Sequence, residues 1–300
     1  MKAKKKRGKV NTAFRHTTAF WLFVLPSLGL FTIFFLLPLV MSVWFSFTDF
    51  DGWKKMNFIG LQNYTKILKD SSFYTALGRT FIYTIVNLPF KIAIPLLLAA
   101  LVTSKKLKGN TAVRTLIYIP VLFSSLVAGI TINWMFGQEY GLVNFLLGKI
   151  GIAPLQWSLN PTLATVVISV ASNWVSAGYY MLLYIGGINN INKELFEAAA
   201  IDGSGKVHTF FHITVPLLLP TTFIVLLLST VNLLKEYALI QGITLGGPGT
   251  STTYIVQYIY SQGFDQYKYG YASAAGVLVS VVFIIIAVVQ FKMTKGGGEV

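Results

Sequence analysis

The 300-residue chain contains no cysteine. That absence excludes disulfides, thiolate metal sites and a cysteine nucleophile, and it leaves the redox compartment open. Histidine is nearly as scarce, limited to His16, His208 and His212. His208 and His212 stand four apart and can share a helix face, but two ligands without a third make a weak zinc site. Carboxylates are also few, with 10 Asp and Glu against 24 Lys and Arg. They are too dispersed for a convergent acid–base site, so no catalytic residue and no metal is assigned. No G-x-x-x-x-G-K-[ST] stretch occurs, and the nearest glycine-rich pieces, "GSGK" and "LGGPG", lack the spacing of a phosphate cradle. Any energy from nucleotide hydrolysis must come from another subunit.

What the chain does have is apolar length. It is 54% hydrophobic and 11% charged, where a soluble domain has about a quarter charged residues. A soluble core of this size could not absorb that surface, and the bilayer is its natural solvent. The net charge of +14 invites a nucleic-acid reading, but the cations cluster at the ends of apolar runs, as a membrane topology signal does. The fold expected is therefore all-α and membrane-embedded. Six transmembrane helices are read near 19–45, 80–103, 114–136, 162–187, 215–240 and 270–292. Each holds the roughly 20 apolar residues that cross about 30 Å of hydrocarbon.

A basic segment precedes the first run, which raises the alternative of a signal peptide. The run from Ala19 to Phe47 is too long for such a core and has no obvious small-residue cleavage site, so it reads as the first span. Residues 1–15 then form a basic cytoplasmic tail and residues 16–300 one transmembrane domain. With the N-terminus inside, fifteen cations fall on the cytoplasmic side and seven outside, which puts both termini in the cytoplasm. The loop at 49–79 strains the rule, with five cations in an outer segment, though Asp49, Asp51 and Asp70 accompany them.

This topology places "ELFEAAAIDGSGKVHTFFHITVPLLLP", Glu194 to Pro220, on the cytoplasmic side between spans four and five. Asn192 suits an N-cap, "KELFEAAA" is rich in helix formers, Gly203 suits the left-handed position after a helix end, and Ser204 can cap a second helix. Two readings stay open on these grounds: a re-entry loop resting on the membrane surface, or a compact helix–turn–helix offered to a soluble partner.

The spacing Glu197-Ala198-Ala199, then Gly203, then Ile213, Val215 and Pro216, resembles the EAA loop of the membrane permeases of ABC importers. Val215 stands where leucine is usual. The stretches "NFIGLQNYTKILKDSSFYTALGRTFIYT", "ASNWVSAGYYMLLYIGGINNINKELFEAAAIDGSG" and "TLGGPGTSTTYIVQYIYSQGFDQYKYGYASAAGVL" extend the likeness over nearly the whole chain. They resemble the carbohydrate-uptake permeases, the maltose-type group and its glycerol-phosphate relatives, and "LGGPGTST" with "GYASA" resembles the first of the two permeases in such systems. Tyr237-Ala238 departs from the Phe-Asp often found there, and the Lys235–Glu236 pair lies outside the pattern.

The resemblance implies a bacterial-type cytoplasmic-membrane permease that moves a sugar, an oligosaccharide by expectation, delivered by an extracytoplasmic binding protein. Its partners would be a second homologous permease in a heterodimer and two ATPase subunits, which hold the ATP and magnesium; this chain holds no cofactor. Glu197, Ala198, Ala199, Asp202, Gly203 and Pro216 would form the coupling element seated in the ATPase. Glycerol phosphate or another polyol is the alternative cargo, a secondary transporter is a further alternative, and a homodimeric permease stays open.

Polar groups inside spans are costly, which makes each a candidate for the solute path. Asn173 and Trp174 fall near the middle of span four, followed by Tyr179 and Tyr180; Asn232, Lys235, Glu236 and Tyr237 make a polar end to span five. Aromatic platforms with amides and hydroxyls suit a sugar, while the tyrosines equally suit an interfacial belt. Lys91 lies mid-span between Pro89 and Pro95, facing either a cavity or a polar neighbour. "GITLGGPGTSTT" reads as an outer turn-rich loop near the mouth where the binding protein docks, or as a simple re-entry turn.

Overall fold

The computed structural model describes residues 12–54, 56–103 and 109–295. The tail lysines up to Lys9, Lys55, and Lys105, Lys106 and Lys108 of the expected cytoplasmic cation cluster lie outside the described residues. The described chain is helical, with one isolated antiparallel bridge, Thr48 to Phe58.

Helix α1 (Thr12–Phe31) runs through a π turn at Thr32–Leu36 into α2 (Leu37–Phe45), forming one apolar rod. A short α3 (Gln62–Ile67) precedes α4 (Ser71–Thr103), which continues unbroken through Pro89 and Pro95. Then follow α5 (Asn110–Tyr118), α6 (Ser125–Met135), α7 (Leu142–Lys149) and α8 (Pro161–Asn189). After α8 come α9 (Lys193–Ile201), α10 (Lys206–Thr209), α11 (Val215–Leu217) and α12 (Leu219–Leu234). The chain closes with α13 (Ala238–Ile243), α14 (Ile255–Tyr260) and α15 (Tyr269–Lys295).

Four helices are long and apolar enough to cross a bilayer: Phe20–Phe45, Ser71–Thr103, Pro161–Asn189 and Tyr269–Met293. Two further pairs pass the same test only when joined across a bend, of 101° between Asn110–Leu122 and Ser125–Met135, and of 68° between Lys206–Leu217 and Leu219–Leu234. The stretches read as continuous spans at 114–136 and 215–240 are therefore broken rods. Proline explains both breaks. Pro120 removes a backbone donor, after which Phe123 and Ser124 adopt extended-range ψ values of 143° and 133°. Pro216 and Pro220 flank Leu218, where the second pair bends. A ring in place of an N–H both frees a carbonyl and crowds the preceding turn. The fifth stretch breaks again at Lys235–Tyr237, between α12 and α13.

The centre is the pairing of α4 with α8, flanked by α12. Buried apolar side chains gather in three clusters along it, one around Tyr83, Ile168 and Ile240, one around Tyr180, Tyr184 and Leu218, and one around Ile67, Phe73 and Ile255. Two crossings are close enough to require glycine. A Cβ on Gly178 of α8 would lie 2.6 Å from the Ile117 carbonyl oxygen, and one on Gly242 of α13 would lie 2.9 Å from Gly129 Cα of α6. The first rod stands apart. Its most apolar window has no buried residue, and it meets the body at its Phe45 end, where α2 packs on α15.

Candidate coupling loop and a buried polar seam

The loop after α8 is built by its caps. The Asn192 side chain accepts from the Glu194 N–H at 3.1 Å, opening α9 as its sequence suggests. Gly203 sits at φ +75°, and the helix closes with Gly203 N–H on the Ala200 carbonyl (3.2 Å) and Ser204 N–H on that of Ala199 (2.8 Å). This paired closure is what a left-handed residue after a helix end permits. Ser204 does not cap the following helix as expected. Gly205 holds that position, with ψ 156°, and the Ser204 hydroxyl pairs with Thr209 Oγ1 at 3.0 Å.

Glu197, Ala198, Asp202, Gly203 and Pro216 are exposed, and Ala199 is buried. Ile201 at 86% and Val207 at 72% exposure put apolar knobs beside those carboxylates. The His208 and His212 rings stack on the same unit. Among the described residues no group of three or more His, Cys, Asp or Glu could hold a metal.

Inside the helix pair α4–α8 runs a seam of buried polar groups. Asn87 donates to the Tyr83 carbonyl (2.8 Å) and to Ser169 Oγ (3.1 Å), and Asn173 donates to Asn87 Oδ1 (3.0 Å). One turn on, Lys91 Nζ donates to the Ser172 carbonyl (2.8 Å), Ser172 Oγ (2.9 Å) and Ser176 Oγ (2.7 Å). The Ser172 hydroxyl passes its own proton to Glu236 Oε2 at 3.2 Å. Lys91 and Ser172 are almost wholly buried. An ammonium carries three protons, and all of these are taken by the chain itself.

The seam is bordered by a largely apolar groove of about 910 Å³ between α4, α5 and α8, lined by Phe90, Ile94, Leu116 and Trp174, with Asn87, Ser169 and Asn173 on its polar edge. Of the residues expected on a solute path, Asn173 and Trp174 share this groove. Tyr180 is fully buried and accepts from the Asn232 amide at 2.9 Å. Glu236 joins the Lys91 bridge, Lys235 is exposed, and the Tyr237 ring lies 5.2 Å from that of Tyr260. The candidates thus divide between the groove and the end of α12. Asn87, Ser169, Ser172 and Ser176 were not singled out from the sequence. Their signal is spacing: Thr84, Asn87 and Lys91 on α4, and Ser169, Ser172 and Ser176 on α8, recur every three or four residues along otherwise apolar helices.

At the Phe45 end of the first rod, Asn63 clasps the carbonyls of Ser46 (3.0 Å) and Thr48 (2.8 Å). Asp70 accepts from the hydroxyls of Tyr258 (2.5 Å) and Tyr271 (2.8 Å). Burial pushes the Asp70 carboxyl up, but these hydrogen bonds outweigh it and hold the group below its ordinary value of 3.8. Arg79 reaches the Thr250 carbonyl, tying the "LGGPGTST" loop to α4.

The fold is that of a multi-spanning helical membrane chain with broken spans and an exposed capped loop, and comparison with known proteins gives its kind. Residues 64–294 match the model of the family described as binding-protein-dependent transport system inner membrane component. The arabinooligosaccharides transport system permease protein AraP of Bacillus subtilis is 34% identical over 99% of this chain and 96% of its own length. The lactose transport system permease protein LacF of Rhizobium radiobacter is 32% identical over 92% and 93%. Among solved structures, a chain of a bacterial ABC transporter involved in import of the acidic polysaccharide alginate superposes with a TM-score of 0.86 at 24% identity, covering 97% of this chain and all of that one. The chain belongs to the binding-protein-dependent transport system inner membrane component family. It is a multi-pass membrane permease subunit of an ABC importer, and ATP hydrolysis resides in another subunit.

Proposed function

We propose that this chain is one half of the membrane channel of an importer for a sugar, an oligosaccharide by preference. It would lie in the bacterial cytoplasmic membrane with six spans, counting each bent pair as one, and with both termini in the cytoplasm. A second, homologous permease completes the channel, two ATPase subunits drive it, and an extracytoplasmic binding protein delivers the sugar. The loop from Asn192 to Pro216 is the coupling element. Ala198 permits close approach to the ATPase while the small Ala199 keeps the loop compact behind it, Glu197 and Asp202 pair with the ATPase's basic side chains, Gly203 makes the turn, and Pro216 starts the return into the membrane. Closure of the ATPase dimer draws the loop inward and turns the cavity outward. Asn173, Trp174, Tyr180, Asn232, Lys235, Glu236 and Tyr237 are assigned to the solute path and its supports.

The observation that carries the coupling reading is the exposed, doubly capped α9 unit, whose carboxylates and apolar knobs face away from the body. The sugar reading is supported by the transport systems of AraP and LacF. Lys91 offers a phosphorylated polyol no free cation, because its protons are engaged with Ser172 and Ser176; recognition of such a cargo would rest on the exposed Lys235.

The test is ATP-dependent uptake of lactose and arabinotriose by cells carrying the full system, with Glu197→Lys and Gly203→Pro compared with the parent chain. The expected result is normal membrane level with loss of both uptake and ATPase copurification. If uptake and ATPase association both survive, the loop is a connector and the coupling assignment is wrong.

A further inference from the structure

Lys91 is the buried ionisable group that the coupling reading leaves without a task. It sits near the middle of α4 and bonds the middle of α8, yet the run of bonds it starts ends past α12. Ser172 Oγ accepts from Lys91 and donates to Glu236, so one hydroxyl relays between a lysine on α4 and a carboxyl group beyond α12. Glu236 is not on a helix. Between Leu234 and Ala238 the backbone leaves helical geometry, with Lys235 at φ −102°, ψ 6° and Tyr237 at φ −139°, ψ −60°. The bridge therefore grips a backbone break.

Non-helical backbone at membrane depth persists only where the protein holds it. Two other side chains lie beside the same break: Asn232 in the last turn of α12, whose amide meets Tyr180, and Tyr237, whose ring lies against Tyr260. A plain strut has no need of charge, because well-packed apolar residues commonly stabilise as well as a buried ion pair. Charges in a span are expensive to retain, and the best-attested return on them is a specified arrangement.

We propose that Lys91 is a positioning residue: through Ser172 it holds Glu236, and so fixes the Lys235–Tyr237 break in the arrangement that sets Asn232 and Tyr237 for the solute. The proposal rests on the reading of this break as part of the sugar path.

This chain lacks cysteine, so assembly with partner subunits freed of cysteine gives a single label site. A nitroxide on Lys235→Cys in the assembled importer reports the break directly, and uptake of arabinotriose and lactose by the unlabelled variants reports its consequence. Lys91→Met and Glu236→Gln are each expected to mobilise the label. The double variant should match the single ones, since the two side chains act as one unit. In Lys91→Met the half-saturating sugar concentration should rise roughly three- to fifteenfold, the range of one interhelical polar contact, with its maximal rate and membrane level retained. The proposal is overturned if the spectra of both single variants superimpose on the parent's, or if their effects add in the double variant. A fall in membrane level with unchanged half-saturation also overturns it, leaving Lys91 as a strut. If the parent importer takes up neither sugar, the cargo reading fails while the label spectra still decide whether the bridge fixes the break.

Discussion

At the level of single residues, the charged groups of this chain divide into those that meet water and those the fold consumes. Asp70 belongs to the second kind. Two tyrosine hydroxyls from different helices, Tyr258 of α14 and Tyr271 of α15, converge on one carboxylate oxygen, and both bonds are stronger while it is ionised. Because these bonds are stronger to the charged form, the depressed value means that ionised Asp70 stabilises the fold at pH above the ordinary carboxylate value of 3.8, and that this contribution is lost as pH falls through the lower, folded value. Thermal unfolding of the purified chain in detergent should therefore show an acid-side loss of stability that Asp70→Asn flattens. An Asp70→Asn profile that parallels the parent's would show that the clasp carries no weight. None of this was legible in the sequence, where Asp70 served only as a counter-charge in a cation-rich loop, because partners 188 and 201 residues away leave no local trace. Lys91 was legible in part: its position marked it, but only the fold shows that serines, and not a cavity, receive it.

At the level of elements, the long apolar helices were legible because twenty apolar residues in a row have few other uses. The broken ones were not. Hydropathy averages across a bend, so 114–136 and 215–240 read as single spans although Pro120, Pro216 and Pro220 mark where they fail. The caps of α9 were readable because capping is local chemistry: Asn192 and Gly203 act within a turn of themselves, whereas Ser204 was misassigned by a single residue. Glycine crossings are the opposite case, since nothing in a helix sequence says which glycine meets a neighbour. Within α8, Gly178 lies against the backbone at Ile117 and Tyr118, while Gly186 has nothing within 4 Å. Gly178→Ala should then destabilise by about 1–3 kcal/mol, because backbone cannot step aside as a side chain can. Gly186→Ala should be neutral or stabilise by roughly 0.5–1 kcal/mol through helix propensity. Melting both variants side by side checks the pair, and equal effects would refute the α5–α8 crossing.

At the level of the whole molecule, the isolated chain is unfinished. It exposes 19980 Å², against about 12,600 Å² expected of a compact soluble protein of its mass. The first rod contributes much of the excess, with Phe23 at 80%, Phe34 at 75% and Val40 at 66% exposure, while the Asn63 clasp and the α2–α15 contact secure only its Phe45 end. Lipid alone would satisfy such a surface. A rod held at one end, however, leaves its far half free to pack on whatever completes the channel, and the second permease is the partner proposed here. A photoreactive phenylalanine analogue at Phe23 or Phe34 separates the two. Cross-linking in membranes that contain the assembled importer should join this chain to the second permease from at least one of those sites, and the same analogue at Ile284 of α15, also exposed at 61%, gives the comparison for a helix packed into the body. Adducts with lipid alone from both rod positions would make the first span a lipid-facing anchor, and the channel would then have to be completed through the α4–α5–α8 groove without it.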